Sequence, residues 1–248
     1  MSLGLDGALA VVTGATGGLG AACSRALARA GATVALMSRS ADDLDELAGA
    51  IGGDGGRALA VPCDVTDAHR VAAAFAALDP PDVLVTCAGG NRPRAFLEVD
   101  ERDLEWSWRL NVLGTFLAAQ AAARRMVAAG RAGTIVNVTS QMGHVGAPQR
   151  TVYCASKHAV EGLTKAMALE LAPAGIRVNA VAPTFVQTPM TAPFLADPEV
   201  RAGVLARIPL GRLATAEEVA AAVVFAASGG ASAMTGASLL IDGGWTAQ

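Results

Sequence analysis

The sequence holds a single tyrosine, Tyr153, and one of its two lysines, Lys157, follows four residues later. Positions i and i+4 share a helix face, so a phenol and an ammonium at this spacing can look into one cleft. A cation beside a phenol favours the phenolate and lowers its pKa, which makes the group a usable proton donor and acceptor. The spacing alone also arises on ordinary surface helices, so neighbouring residues must decide. Ser140 follows the apolar run Ile135-Val-Asn-Val-Thr139, where its hydroxyl can hold a substrate oxygen beside Tyr153. Asn111 interrupts an apolar helical stretch and can orient a water near Lys157 in a proton path. Taken alone, Asn111 can equally be a structural amide bonded to backbone.

A second constellation points to a nucleotide. Thr13-Gly-Ala-Thr-Gly-Gly-Leu-Gly20 lies between an apolar run and a helix-forming stretch. Its glycines allow a tight turn whose N–H groups reach a pyrophosphate at the helix N-terminus. The loop has no lysine and lacks the spacing of a triphosphate-binding P-loop. An NAD site would carry an acid at the end of the following strand. Here that point reads Met37-Ser38-Arg39-Ser40, and the first acids are Asp42 and Asp43. A hydroxyl from Ser38 and a fixed cationic fork from Arg39 suit the 2'-phosphate of NADP(H), with NAD(H) as the alternative.

Strands must deliver these residues to one edge. Apolar runs are expected as strands at Leu9–Thr13, Thr33–Met37, Ala58–Pro62, Val83–Thr86, Thr134–Thr139, Arg177–Val181 and Ser238–Ile241. Helical stretches separate them at Ala21–Ala30, Leu44–Ala50, Ala68–Leu78, Glu101–Ala129 (straight or bent), Thr151–Leu171 and Glu217–Ala227. This alternation predicts an α/β fold with a mostly parallel, doubly wound sheet covered on both faces. No linker divides the 248 residues, so a single domain is expected. Residues 186–212, interrupted by Pro189, Pro193, Pro198 and Pro209, are expected to form a substrate lid.

Composition narrows the field further. Apolar residues make up 52% and charged residues 17%, which argues against disorder. A formal net charge of -3 gives no electrostatic reason to expect nucleic acid or an anionic membrane. The four cysteines are scattered and histidines number three, so each cysteine reads as a small apolar side chain rather than a metal ligand. No basic stretch leads into a hydrophobic signal core, so a cytoplasmic protein is expected.

Over almost its entire length, the chain resembles a classical short-chain dehydrogenase/reductase. Gly14, Gly18 and Gly20 match the family's cofactor turn, Asp64 its adenine-binding acid, and Asn111, Ser140, Tyr153 and Lys157 its catalytic tetrad. The resemblance implies a seven-stranded Rossmann fold and hydride transfer between nicotinamide and a carbonyl or alcohol carbon, without a catalytic metal. Tyr153 would protonate the developing alkoxide, Ser140 would stabilise the oxygen, Lys157 would hold the nicotinamide ribose, and Asn111 would hold a relay water. Thr16, Leu19, Val65, Ala88, Gly89, Pro183, Val186 and Thr188 fall at further cofactor-contact positions. Two patterns depart from the family. Thr86-Cys87-Ala88-Gly89 stands for Asn-Asn-Ala-Gly, and Thr184 stands where a glycine is usual.

Residues beyond the strand ends or near Tyr153 are candidates for the substrate pocket: Gly90, Arg92, Gln141, His144, Gln149, Phe185, Gln187 and Met190. Arg92 or Arg150 would meet a carboxylate if its side chain turns inward. The leading expectation is a reductase or dehydrogenase of a small polar ketone or secondary alcohol, including sugars and hydroxy acids. A 3-oxoacyl thioester reductase and a 3-hydroxybutyrate dehydrogenase are the alternatives. The family further implies a homotetramer, and the Thr-Ala-Gln248 ending resembles relatives that bind a structural magnesium between subunits.

Overall fold

The computed structural model describes residues 4–247. Seven strands form one parallel sheet in the order β3-β2-β1-β4-β5-β6-β7. They are β1 (Leu9–Thr13), β2 (Thr33–Ser38), β3 (Arg57–Pro62), β4 (Val83–Thr86), β5 (Gly133–Val138), β6 (Ile176–Pro183) and β7 (Ser238–Ile241). The order reverses between β1 and β4, whose registers pair Val12 with Val85 and Thr13 with Thr86. Strand ends diverge there, and a crevice opens beyond their C-terminal edge.

Alternating side chains feed two cores. Ala10, Val12, Val34, Leu36, Val85 and Val136 pack against α1 (Gly18–Arg29), α2 (Ala41–Gly53) and α9 (Ala216–Ala227). Val11, Ala35, Leu84, Ile135 and Val178 face the other way, against α3 (Ala68–Ala77), α5 (Gly114–Ala128) and α6 (Thr151–Leu171). A parallel sheet buried on both faces explains why its strands read as continuous apolar runs.

The stretch expected as one long or bent helix is α4 (Glu101–Ser107), a π-helical segment at Trp108–Leu113, and α5. Backbone angles stay helical through both junctions, so the axis continues while the spacing of its hydrogen bonds widens. Asn111 sits inside this segment, and Thr115 Oγ1 donates to its carbonyl at 2.8 Å. Residues 186–212 carry α7 (Ala192–Leu195) and α8 (Pro198–Leu205). Leu195, Val204 and Ile208 form a small core there with Phe185, Phe194, Leu213 and Trp245. No helix of the described residues is long and apolar enough to cross a membrane. The expected magnesium position at Gln248 lies outside the described residues.

Candidate active site

A cleft of about 630 Å³ runs along the C-terminal edge of the sheet. From the first turn it takes Gly14, Thr16, Gly18, Leu19 and Gly20; from the ends of β2 and β3 it takes Ser38, Arg39, Asp64 and Val65. Ala88 and Gly89 follow β4, while Pro183, Val186 and Thr188 close the far end beside Tyr153. All fifteen expected cofactor positions other than Lys157 therefore meet along one wall. Lys157 is buried behind it.

The turn needs its glycines for steric reasons. Gly14 has φ +64°, and a Cβ there would lie 2.7 Å from the backbone N of Ala88. At Gly20 a Cβ would lie 2.1 Å from the Gly14 carbonyl oxygen. The backbone can thus approach both the neighbouring strand and a ligand closely. Thr16 Oγ1 donates to Ser38 Oγ at 3.2 Å, tying the turn to the end of β2. Asp64 accepts from the Thr66 backbone and hydroxyl at 2.9 and 2.8 Å, and these bonds hold its carboxyl below the usual range. Arg39 is exposed at the rim, close enough for its charge to act on Asp64. These residues fit a dinucleotide bearing a 2'-phosphate: a glycine cradle, a carboxylate for adenine and a free guanidinium beside a hydroxyl.

The two departures have structural explanations. Thr86 Oγ1 donates to Asn137 Oδ1 at 2.8 Å, and Asn137 Nδ2 donates to Thr164 Oγ1 at 2.9 Å. Thr86 thereby joins β4 through β5 to α6. Cys87 is held well above the usual thiol range by contact with Cys23 and by burial, so it is a neutral small side chain at the cleft floor. Thr184 donates its N–H to Ile241 O at 3.1 Å, and its hydroxyl lacks a partner.

Ser140 leaves β5 in extended backbone, and its Oγ accepts from Met142 N at 3.1 Å. Tyr153, on the first turn of α6, hydrogen-bonds the Ser140 side chain. Burial pushes the phenol up to about 12, and the bond to Ser140 only partly offsets this. The Lys157 Nζ lies 5.7 Å from the Tyr153 ring centroid and donates to Val138 O at 3.0 Å. Burial pulls this ammonium down to about 8, although Cys87 and Glu161 act to raise it. The expected lowering of the phenol pKa by Lys157 is absent: desolvation dominates, and the cation that acts on the phenol is Arg150.

Asn111 serves first as a clamp. Its Oδ1 accepts from Gly90 N at 2.8 Å, and its Nδ2 lies 3.0 Å from Gly90 O and 3.0 Å from Ser156 Oγ. A Cβ on Gly89 would lie 3.2 Å from Asn111 Oδ1 and 3.6 Å from Lys157 Nζ, so both groups converge behind that glycine.

A second recess of about 120 Å³ opens beside Ser140 and Tyr153. Gln141, Phe185 and Met190 line it as expected. The other substrate candidates lie elsewhere. Gly90 is occupied with Asn111 and Trp106. Arg92 stacks 4.0 Å from the Trp106 centroid and pairs with Asp103 at 3.3 Å. His144 turns to Ser238 at 3.0 Å and Glu161 at 3.2 Å. Gln149 is exposed with φ 58°, and Gln187 lines a separate surface hollow with Arg201. Sequence reasoning missed Asn91, Thr191 and Phe194, which reach the recess from two segments, the first after β4 and the other two at α7. No local pattern marks them.

Comparison with known proteins agrees with this geometry. The family described as enoyl-(acyl carrier protein) reductase matches residues 14–246. A cis-4-hydroxycyclohexanecarboxylate dehydrogenase of Sinomonas cyclohexanicum is 46% identical, covering 96% of this chain and 96% of its own. D-threitol dehydrogenase of Mycolicibacterium smegmatis is 42% identical, covering 98% of this chain and 94% of its own. The crystal structure of a Burkholderia cenocepacia gluconate 5-dehydrogenase with NADP and tartrate superimposes with a TM-score of 0.96 at 32% identity, covering 100% and 98% of the two chains. With the glycine turn, the parallel sheet and the Ser140–Tyr153–Lys157 cluster in place, the chain belongs to the short-chain dehydrogenase/reductase family.

Proposed function

We propose that this protein is an NADP(H)-preferring oxidoreductase acting on a small polar ketone or secondary alcohol. The observation that carries this is the meeting of Tyr153 and Ser140 at the boundary between the dinucleotide cleft and the small recess. Bound NADP(H) supplies the hydride donor or acceptor. Gly14, Gly18 and Gly20 admit its pyrophosphate, Asp64 its adenine, and Ser38 with Arg39 its 2'-phosphate. Lys157 takes the nicotinamide ribose, the Val186 backbone the carboxamide, and the Thr188 hydroxyl the pyrophosphate.

Tyr153 is fully protonated at neutral pH because burial holds its pKa near 12. It is thus ready to give its proton to the oxygen of a carbonyl being reduced. Ser140 donates to the same oxygen and holds it in place. In oxidation Tyr153 must first lose its proton, and the ammonium of Lys157 stabilises the resulting phenolate. Asn111 carries a relay water behind Gly89, toward which Lys157 also points. Residues 186–212 act as the lid over this chemistry.

The relatives named for polyol, hydroxycarboxylate and gluconate substrates support small polar compounds. The neighbour solved with NADP supports the cofactor preference. A cytoplasmic homotetramer completes the reading. Leu104, Trp108 and Phe116 near the π-helical segment are exposed, as are Leu169, Phe225 and Leu240 on α6, α9 and β7. Contacts between copies through the two long helices, α5 and α6, and through α9 with β7 would remove such side chains from water.

The test is nucleotide binding followed by a substrate panel. NADPH is expected to bind at least about tenfold tighter than NADH, about 1.4 kcal/mol. Polyols, ketoses and hydroxy acids are expected to turn over, and acyl thioesters to be poor. Tighter NADH binding, or turnover confined to thioesters, would overturn the assignment.

A further inference from the structure

The recess beside Tyr153 is unusual in its polar accounting. Among the described residues, eight buried side-chain nitrogen and oxygen atoms lack a hydrogen-bond partner. Five of them belong to residues lining this recess: Asn91 Oδ1, both amide atoms of Gln141, Arg150 Nε and Thr184 Oγ1. Each buried orphan costs about 1–3 kcal/mol, and charged ones cost more. Their concentration in the wall of one small cavity sets this polar lining apart from the rest of the described residues.

Arg150 is the most telling. Its residue is 5% exposed, and it makes no ion pair among the described residues. The guanidinium lies 4.8 Å from the Phe194 ring centroid, and Phe194 in turn stacks on Phe185 at 5.8 Å. Its Nη1 donates to Gln149 O at 3.1 Å, an oxygen that also accepts from Arg94 N at 3.2 Å. Gln149 is the one described non-glycine residue with positive φ, at 58°. Backbone strain is thus tolerated next to a buried cation that faces the site.

Nearby charge reinforces the point. Arg92, Arg94, Arg150 and Asp103 line one narrow cleft behind the recess. Asp103 is committed to Arg92 and Arg94, which leaves Arg150 without a counter-charge. A buried, unpaired guanidinium is expensive, and a bidentate carboxylate is the ligand its planar fork matches best.

We propose that the substrate carries a carboxylate, bound by Arg150 and Gln141, while Tyr153 and Ser140 hold its reacting oxygen. This rests on the oxidoreductase reading above and narrows the substrate class to hydroxy- and oxo-carboxylates. Phe185 and Phe194 wall the carbon chain between the two ends.

The experiment uses three hydroxy acids, lactate, 3-hydroxybutyrate and 4-hydroxypentanoate, each beside its neutral primary amide. Calorimetry measures their binding to the protein loaded with NADP+. At least one acid should bind about tenfold or more tighter than its amide, the margin of a charge-assisted pair. Arg150→Gln should erase that preference, and Arg150→Lys should restore part of it. Gln141→Leu, which keeps the cation, should weaken acid binding and retain the preference in direction.

Equal affinity for acid and amide in every pair, or binding of none of the six, would overturn the proposal. So would an undiminished preference in Arg150→Gln. NADPH binding by each variant, read from nucleotide fluorescence, shows that the fold is retained. Failure of the oxidoreductase reading has a different signature: no NADPH binding, or no hydride transfer with any acid or polyol.

Discussion

Replacing Lys157 by methionine should stabilise the nucleotide-free protein, although it removes a group central to the site. The ammonium is pulled from its ordinary 10.5 to about 8, with burial as the leading cause. At about 1.4 kcal/mol per pH unit, holding it charged costs about 3 kcal/mol at neutral pH. Methionine keeps the length of the stem and removes the charge. Val138 O then loses its 3.0 Å donor, a loss of about 1 kcal/mol. The net expectation is a gain of about 2 kcal/mol at pH 7.

The pH dependence follows from the same shift. Between about 8 and 10.5 the unfolded chain holds a proton on Lys157 that the folded chain has released. Wild-type stability should therefore rise with pH through that window. Tyr153 acts in the opposite sense, because its pKa is raised from 10.0 to about 12 and the folded chain keeps its proton longer. Its destabilising effect begins only above about pH 10. Urea unfolding of both proteins at pH 7 and 9.5, at one protein concentration, isolates the lysine. The advantage of Lys157→Met should shrink toward zero at the higher pH. A variant less stable than wild type at pH 7, or a gap that ignores pH, would refute the claim that burial dominates Lys157.

Three further outcomes are expected. Tyr153→Phe should lower turnover by about 10²–10⁴ and leave NADPH affinity within about twofold, measured by steady-state kinetics and titration; near-normal turnover would remove Tyr153 as the proton donor. Arg39→Ala should weaken NADPH by about tenfold or more and leave NADH unchanged, and equal losses for both would reject the 2'-phosphate contact. Gly14→Ala places a Cβ 2.7 Å from Ala88 N at φ +64°. Left-handed strain of about 1–2 kcal/mol should add to that clash and lower the melting temperature, so an unchanged thermal transition would show that the turn relaxes freely.

The residues that act through local chain geometry were legible in the sequence. Strands buried on both faces must be continuous apolar runs, which is why β1 to β7 could be read within a few residues. The turn at Gly14 to Gly20 has to avoid side chains wherever backbone packs on backbone, so its glycines announce themselves. Tyr153 and Lys157 share one helix, and their spacing alone puts them on one face.

Features set by long-range packing were not legible. Arg92 and Arg150 looked equivalent as sequence, yet Trp106 and Asp103 hold the first aside while Phe194 and Gln149 fix the second inward. His144 carried the chemistry of a pocket residue, but Glu161 and Ser238 draw it away. The Tyr153 pKa was misread because the spacing shows a neighbouring cation and conceals the desolvation of both groups. Sequence order thus determined the sheet, the glycine turn and the placing of Tyr153 with Lys157 on one helix, since each depends on a repeat or a spacing along the chain. Which polar side chains enter the substrate recess, and with what charge, was decided only when distant segments packed around it.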